Sequence, residues 1–236
     1  MSTWALVVAA GKSVRMGAGV PKQFVEVAGR PLVAHTVDAL LAHPAIEGAI
    51  VAIPRGTRRF ALTQVFSHLA SNKPLKLVIG ADSRAGSVLR ALTALPARAT
   101  VVLVHDGARP LVPRALVDRL LDAVARHGAA IPALPATDTL KERTADGFVR
   151  RTIPREKIVC VQTPQGFSRK VLERAFAAAG ETLASATDCA SLVEATGAPV
   201  AIVVGERENL KVTAPEDLAH VANRLATRPR LVAGSV

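Results

Sequence analysis

The loop after the first apolar run, Ala9-Ala10-Gly11-Lys12-Ser13-Val14-Arg15-Met16-Gly17, joins a glycine turn to two cations, and Pro21-Lys22 adds a third soon after. Gly11 allows a tight turn and lets an anion approach backbone N–H groups, which suits phosphate binding. Two familiar phosphate loops fail on spacing. A P-loop needs a glycine directly before the Lys-Ser pair and another five residues earlier; Gly11 meets the first condition, but the other position is Leu6. The GxGxxG fingerprint fails as well, because Lys22 stands where the last glycine after Gly17-Ala18-Gly19 belongs. What remains is a glycine turn followed by cations, or a plain helix-capping turn with surface charge.

The composition frames the same question. Of 236 residues half are hydrophobic and 21% are charged, and the formal net charge is +11. The thirty basic residues are 22 Arg and 8 Lys, set against nineteen acidic ones. Arginine is the side chain best shaped for forked contacts to phosphate oxygens. An enzyme for phosphorylated substrates, a nucleic-acid binder, and a merely Arg-rich surface all fit that balance. Six Phe, one Trp and no Tyr weaken single-strand binding by base stacking. The apolar fraction excludes global disorder. The longest apolar runs, near Trp4–Ala10 and Ala198–Val204, fall far short of the ~20 residues of a spanning helix. No basic stretch precedes Trp4–Ala10, so a secretory leader is not expected. Two cysteines, Cys160 and Cys189, exclude a disulfide framework and a four-ligand zinc site, and a reducing cytoplasm is the expected compartment.

The elements that must position these residues alternate along the chain. Ala5–Ala9, Ala49–Ile53, Leu75–Ile79, Thr100–Val104, Ala129–Leu134, Ile158–Val161 and Val200–Val204 read as strands, apolar throughout as in sheets covered on both faces. Leu32, Val33, Val37, Leu40 and Leu41 share one helical face, and Leu116, Val117, Leu120, Leu121 and Val124 share another, with Pro113 suited to its first turn. Thr213 to Glu216 has capping-box spacing and opens a last helix through about Leu225. Repeated βα units predict an α/β fold with a mostly parallel, twisted, Rossmann-like sheet flanked by helices, in a single domain over residues 1–236. Thr137–Arg155 breaks the rhythm. It is polar and basic, and the Asp146-Gly147 pair at its centre predicts a hairpin, read as a β-arm projecting from the sheet or a plain surface hairpin. Ligands of open α/β sheets sit beyond the carboxyl ends of the strands, so the loops there hold the candidates.

Those loops carry a resemblance. Leu6 to Gly11 with Arg15-Met16 and Pro21-Lys22-Gln23 resembles the signature of the sugar-nucleotide and polyol-phosphate nucleotidyltransferases. Gly80-Ala81-Asp82-Ser83-Arg84-Ala85-Gly86-Ser87-Val88 looks like the cytosine-binding segment of the cytidylyltransferases among them, and Val104-His105-Asp106-Gly107-Ala108-Arg109-Pro110 like their metal-binding loop. Asp138-Thr139-Leu140-Lys141, Thr163-Pro164-Gln165, Thr187-Asp188 and Asn209-Leu210-Lys211-Val212-Thr213 follow in the same order. From about Trp4 to Leu225 the chain is similar to the 2-C-methyl-D-erythritol 4-phosphate cytidylyltransferase family of the non-mevalonate isoprenoid pathway.

The resemblance implies two substrates, CTP and a polyol phosphate, with CMP transferred and pyrophosphate released. The acceptor is already anionic, because the second phosphate pKa is about 6, so catalysis reduces to positioning and charge stabilisation. Carried over from the family pattern, Arg15 and Lys22 stabilise the crowded α-phosphate and the leaving pyrophosphate. Ala9, Ala10, Gly11 and Gly107 bind CTP, as do Ala81, Asp82 and Ser87 at the base. Asp106 holds Mg²⁺. Thr139, Arg155 and Lys211 meet the acceptor phosphate, the first two from an arm over 137–155 that interlocks with a second subunit in a homodimer. Arg109 and Asp188 give structural support, Arg109 through a salt bridge to Asp106. No nucleic-acid or membrane partner is implied. Taken alone, Asp106 at a strand end also suits a helix cap, as does Asp82-Ser83 at the start of a helical stretch. Departures from the family are Ser13 for a common glycine, Cys189 for a common acidic residue, and Pro154 for a common Asp. Ribitol 5-phosphate is the alternative acceptor. A glycosyltransferase of similar fold expects a carboxylate pair near Asp106, where the chain reads His105-Asp106-Gly107-Ala108.

Overall fold

The protein is described by a computed structural model covering residues 1–11, 21–67 and 69–227. The elements run in the predicted alternation. Strand β1 (Thr3–Val8) leads through a short hairpin, β2 (Glu26–Val27) and β3 (Arg30–Pro31), into helix α1 (Leu32–Leu41) and strand β4 (Ile46–Ile53). A short turn, α2 (Arg58–Phe60), precedes β5 (Leu75–Ile79), α3 (Arg84–Leu92), β6 (Val101–Asp106), α4 (Arg114–His127) and β7 (Ala129–Pro135). The arm follows as β8 (Leu140–Arg143) and β9 (Val149–Ile153). Then come β10 (Val159–Val161), β11 (Gln165–Ser168), α5 (Arg169–Ala178), α6 (Cys189–Glu194), β12 (Ala201–Val204) and α7 (Pro215–Thr227).

The main sheet has eight strands, with β1 between β4 and β6 and β5 outside β4. β1, β4, β5 and β6 are mutually parallel where they pair, and β12 is parallel to β7. β10 and β11 run antiparallel to their neighbours, so the sheet is more mixed than the apolar runs predict. β11 was not expected as a strand. Its four residues include one large apolar side chain, Phe167, and a glycine whose added Cβ would lie 2.7 Å from Val124 Cγ2, so it carries no hydrophobic run to read.

Alternate side chains of the strands feed two cores. Ala5 and Val7 pack with Val37 and Leu40 of α1 and Leu120 of α4 on one face. Trp4 and Leu6 pack with Val88 of α3, Phe176 of α5 and Val193 of α6 on the other. Both faces are covered, which is why the strands read as continuous apolar runs. A third cluster, with Val27, Leu32, Leu111, Val212 and Val221, docks α7 beside the mouth of the sheet.

The last helix is capped differently from its predicted box. Asp217, not Glu216, reaches back, its Oδ2 accepting from the N–H groups of Thr213 at 2.7 Å and Ala214 at 2.9 Å. Pro113 precedes α4 as its cap residue rather than lying in its first turn. The arm forms as an antiparallel pair separate from the main sheet, with Leu140 opposite Ile153. Its turn is wider than a two-residue Asp-Gly loop: Gly147 N–H donates to Thr144 O at 3.1 Å, and Gly147 takes the left-handed φ of +94°. That pattern is a turn followed by a glycine bulge.

Candidate active site

β1 pairs with β4 on one side and β6 on the other, so the chain reverses its direction of travel across the sheet between β1 and β6. A crevice opens at such a reversal, beyond the strand ends. The register aligns Val8 with Asp106, which brings the Gly11 loop and Asp106 side by side at its rim. Asp106 is thus the last residue of β6, two residues beyond the predicted strand end.

A cavity of about 310 Å³ occupies this crevice. Ala9, Ala10, Gly11, Lys22, Ala81, Asp82, Ser87, Asp106, Gly107 and Lys211 all line it, so most of the predicted site residues meet at one place. A larger cavity of about 690 Å³ lies past the opposite end of β6, beside Val101, Gly128 and Ser168. Its Arg169 and Glu173 pair with each other at 2.7 Å, and none of the predicted site residues lines it, so the smaller cavity is the candidate site.

The walls of the crevice are tightly packed around small residues. At Gly80 a Cβ would sit 2.1 Å from Ala10 Cβ, so only glycine lets the loop after β5 lie against the loop after β1. Ser83 caps α3 by accepting from Gly86 N–H at 3.0 Å, the capping alternative foreseen for Asp82-Ser83. Ser87 is buried, and its hydroxyl accepts from Ala81 N–H at 2.9 Å and donates to Ser83 O at 2.9 Å. Its one proton is therefore spent on shaping the loop.

Asp106 is the electrostatic centre. Lys211 Nζ lies 2.9 Å from Oδ2, Arg84 Nη2 lies 3.2 Å from Oδ1, and Arg109 Nε lies 3.7 Å from Oδ2. Burial pushes the carboxyl up, but Arg84, Lys211 and Arg109 together hold it well below the usual carboxylate range. The predicted support from Arg109 is present, and Arg109 Nη1 also donates to Asn209 O at 2.7 Å. Arg84 escaped the sequence reading. It opens α3 and forks between Asp106 and Cys189, with Nη1 3.7 Å from Sγ.

Behind Asp106 lies a buried network. His105 Nε2 is 3.0 Å from Arg109 O, which only accepts, so Nε2 carries the proton. Nδ1 then accepts from the Thr163 hydroxyl at 3.0 Å, and that oxygen in turn accepts from Asp106 N–H at 3.1 Å. Burial pushes His105 down to about 4, so it is neutral at pH 7. Asn209 Nδ2 donates to Thr163 O at 2.7 Å. Asp188 caps α6, accepting from Ser191 N–H at 2.9 Å and from Gln165 Nε2 at 2.6 Å, a structural duty as expected. Burial pushes the Cys189 thiol up to about 11.

Lys22 Nζ donates to Val212 O at 2.5 Å, which ties the Pro21-Lys22 segment to the residues beside Lys211. Arg15 and Ser13 lie outside the described residues. Thr139 and Arg155 do not line this cavity; Arg155 is exposed at the base of the arm and donates to Thr137 O. Pro154 is extended and precedes a single turn over Arg155–Lys157.

Comparison with known proteins adds an independent line. The family profile described as IspD, 2-C-methyl-D-erythritol 4-phosphate cytidylyltransferase, matches residues 3–227. The 2-C-methyl-D-erythritol 4-phosphate cytidylyltransferase of Acidobacterium capsulatum is 44% identical over 237 residues, spanning 97% of this chain and 99% of the relative. The protein of the same name from Xylella fastidiosa is 40% identical over 233 residues, spanning 97% and 99%. The crystal structure of the Thermus thermophilus 2-C-methyl-D-erythritol 4-phosphate cytidylyltransferase superposes with a TM-score of 0.77 at 36% identity, covering 96% of this chain and all (100%) of that one.

Proposed function

The chain belongs to the 2-C-methyl-D-erythritol 4-phosphate cytidylyltransferase family, and from that premise we infer how its cavity carries the reaction. The enzyme transfers the cytidylyl group of CTP to 2-C-methyl-D-erythritol 4-phosphate, a step of isoprenoid precursor biosynthesis. An acceptor phosphate oxygen forms the new bond to the α-phosphorus, and the bond from that phosphorus to the pyrophosphate oxygen breaks. The acceptor needs no proton removed, so the protein's task is to bring two anions together.

The observation that carries this reading is the convergence of the Gly11 loop, the Ala81–Ser87 loop, Lys22 and Lys211 on one cavity. Ala10 and Gly11 offer backbone N–H groups to the triphosphate. The small side chains around Ala81 leave room for a pyrimidine and let backbone groups reach its edge, with Ser87 holding the loop in shape. Lys22 and Arg15 offset charge on the α-phosphate and pyrophosphate. Lys211 leaves Asp106 for the acceptor phosphate.

Asp106 and Asp82 are the carboxylates lining the cavity, and among the described residues no group of three His, Cys, Asp or Glu side chains comes together. That donor set fits Mg²⁺ brought in with the triphosphate, which takes one or two carboxylates alongside phosphate oxygens. Asp106 would be its ligand, and the ion would supply shielding of phosphate charge.

The arm supports a homodimer. A lone two-stranded hairpin is marginal in water, and this one exposes Phe148 at 71% and Val149 at 64%. A second copy would cover that surface, and Thr139 and Arg155 would serve the neighbour's cavity rather than their own. No helix among the described residues is long and apolar enough to cross a membrane. A cytoplasmic setting agrees with a CTP-dependent reaction.

The reading is tested by pyrophosphate release with CTP, Mg²⁺ and a panel of polyol phosphates. Methylerythritol phosphate is expected to give the highest kcat/KM. Faster turnover of ribitol 5-phosphate, or of ATP in place of CTP, would overturn it.

A further inference from the structure

Gln23 is a buried polar side chain, 5% exposed, that borders the cavity beside Lys22. Its Nε2 donates to Ala9 O and approaches Gly11 O at 3.4 Å. Both partners are carbonyls and only accept, so the amide nitrogen, not its oxygen, faces them. The two carbonyls flank the turn of the Gly11 loop. A trans peptide is planar, with its C=O and N–H pointing in opposite directions. Holding Ala9 O toward Gln23 therefore aims Ala10 N–H the other way. Ala9 N–H is spent on Ala52 O at 2.9 Å, whereas the N–H groups of Ala10 and Gly11 have no partner among the described residues.

We propose that Gln23 is a positioning residue for CTP: its carboxamide turns the carbonyls of Ala9 and Gly11 away from the triphosphate and thereby presents the N–H of Ala10 to it. The proposal rests on the reading that the triphosphate sits at this loop. A glycine turn flips readily between its two peptide orientations. In the wrong one it would set a carbonyl dipole against phosphate oxygens, and Gln23 is the side chain that selects the right one. Gln23 touches neither substrate in this account and acts through the loop.

The test compares wild type with Gln23→Glu and Gln23→Met. Glutamate keeps the shape but puts an acceptor against two acceptors; methionine keeps the length and removes the donors. With a wild-type melting temperature, Gln23→Glu is expected to lose roughly tenfold or more in kcat/KM for CTP, the scale of one misdirected buried carbonyl. KM for the acceptor should stay within about twofold, and part of the loss should return as pH falls and the carboxyl gains a proton to donate. A packing role alone would leave the neutral Gln23→Met near wild type in kcat/KM for CTP, and that result overturns the proposal. Should both variants misfold, backbone amide resonances in wild-type protein decide. That of Ala10 is expected to move on CTP addition, and an unmoved resonance with CTP bound refutes it. Wild type that fails to bind CTP in calorimetry instead removes the reading beneath.

Discussion

Replacing Asp106 by asparagine probes the centre of the site. The change keeps the shape and removes one charge that faces Lys211 at 2.9 Å, Arg84 at 3.2 Å and Arg109 at 3.7 Å. Lys211 is 44% exposed and turns to water at little cost, so its share of the stability is small. Arg84 and Arg109 are mostly buried and keep their charge. Leaving buried cations without their carboxylate costs about 3–5 kcal/mol when nothing relaxes. With Lys211 free to leave, about 3 kcal/mol of unfolding free energy is the expected loss at pH 7. The pH dependence fixes the cause. The carboxyl of Asp106 is held below its ordinary value of 3.8, so its contribution is fully present above that value and is lost as pH falls toward the depressed one. Asparagine has no such dependence. The gap between the two proteins in urea unfolding should therefore shrink by about 1 kcal/mol between pH 7 and pH 3. Without metal, CTP binding should be no weaker in the variant, since a negative charge has left the cavity, whereas the gain in affinity that Mg²⁺ brings should shrink with its carboxylate ligand gone. A variant as stable as wild type at pH 7, or a gap that stays constant into acid, would refute the charge argument.

Cys160 is exposed, whereas Cys189 is buried with its thiol pushed up to about 11, so a disulfide reagent at pH 8 should titrate one thiol in the folded protein and two in urea; two fast thiols in the native state would contradict the burial. If the arm serves its neighbour, mixing Arg155→Ala and Lys22→Ala subunits restores one complete site in each mixed dimer, and an isolated mixed dimer without activity would show that Arg155 acts in its own subunit or not at all.

The parts of this site that could be read from sequence are those whose function is local. A glycine turn after an apolar strand, a Lys after a Pro, and an Asp at a strand end each announce themselves in a few residues, and parallel topology brings them together. Arg84 and Gln23 are different. Arg84 lies within the base-binding segment, but nothing there gives it a role, because its duty depends on Asp106, which lies 22 residues on and is adjacent only through the strand order. Gln23 reads as a polar residue beside a useful lysine; its importance is the direction of two carbonyls, a backbone property that composition does not encode. The same holds for β11, where an interior strand carries Gly because Val124 crowds it and Gln because its amide donates to Asp188. In the last helix, capping spacing favours Glu216, and the fold gives the task to the next residue.

The closing segment of the site also bears on how the enzyme is made. Val212 O holds Lys22, Asn209 O holds Arg109, Lys211 reaches Asp106, and Val212 and Val221 fill the cluster around Leu32. Chains emerge from the ribosome amino end first, and early parts begin to fold as they appear. The Gly11 loop, the base loop and Asp106 are synthesised by residue 106, yet the amine and the carbonyls that tie the site together arrive only with residues 209–212. A nascent chain stopped short of Asn209 would hold both halves of a nucleotide cradle with nothing to close it. Synthesis itself thus keeps the cavity incomplete until residues 209–212 have emerged.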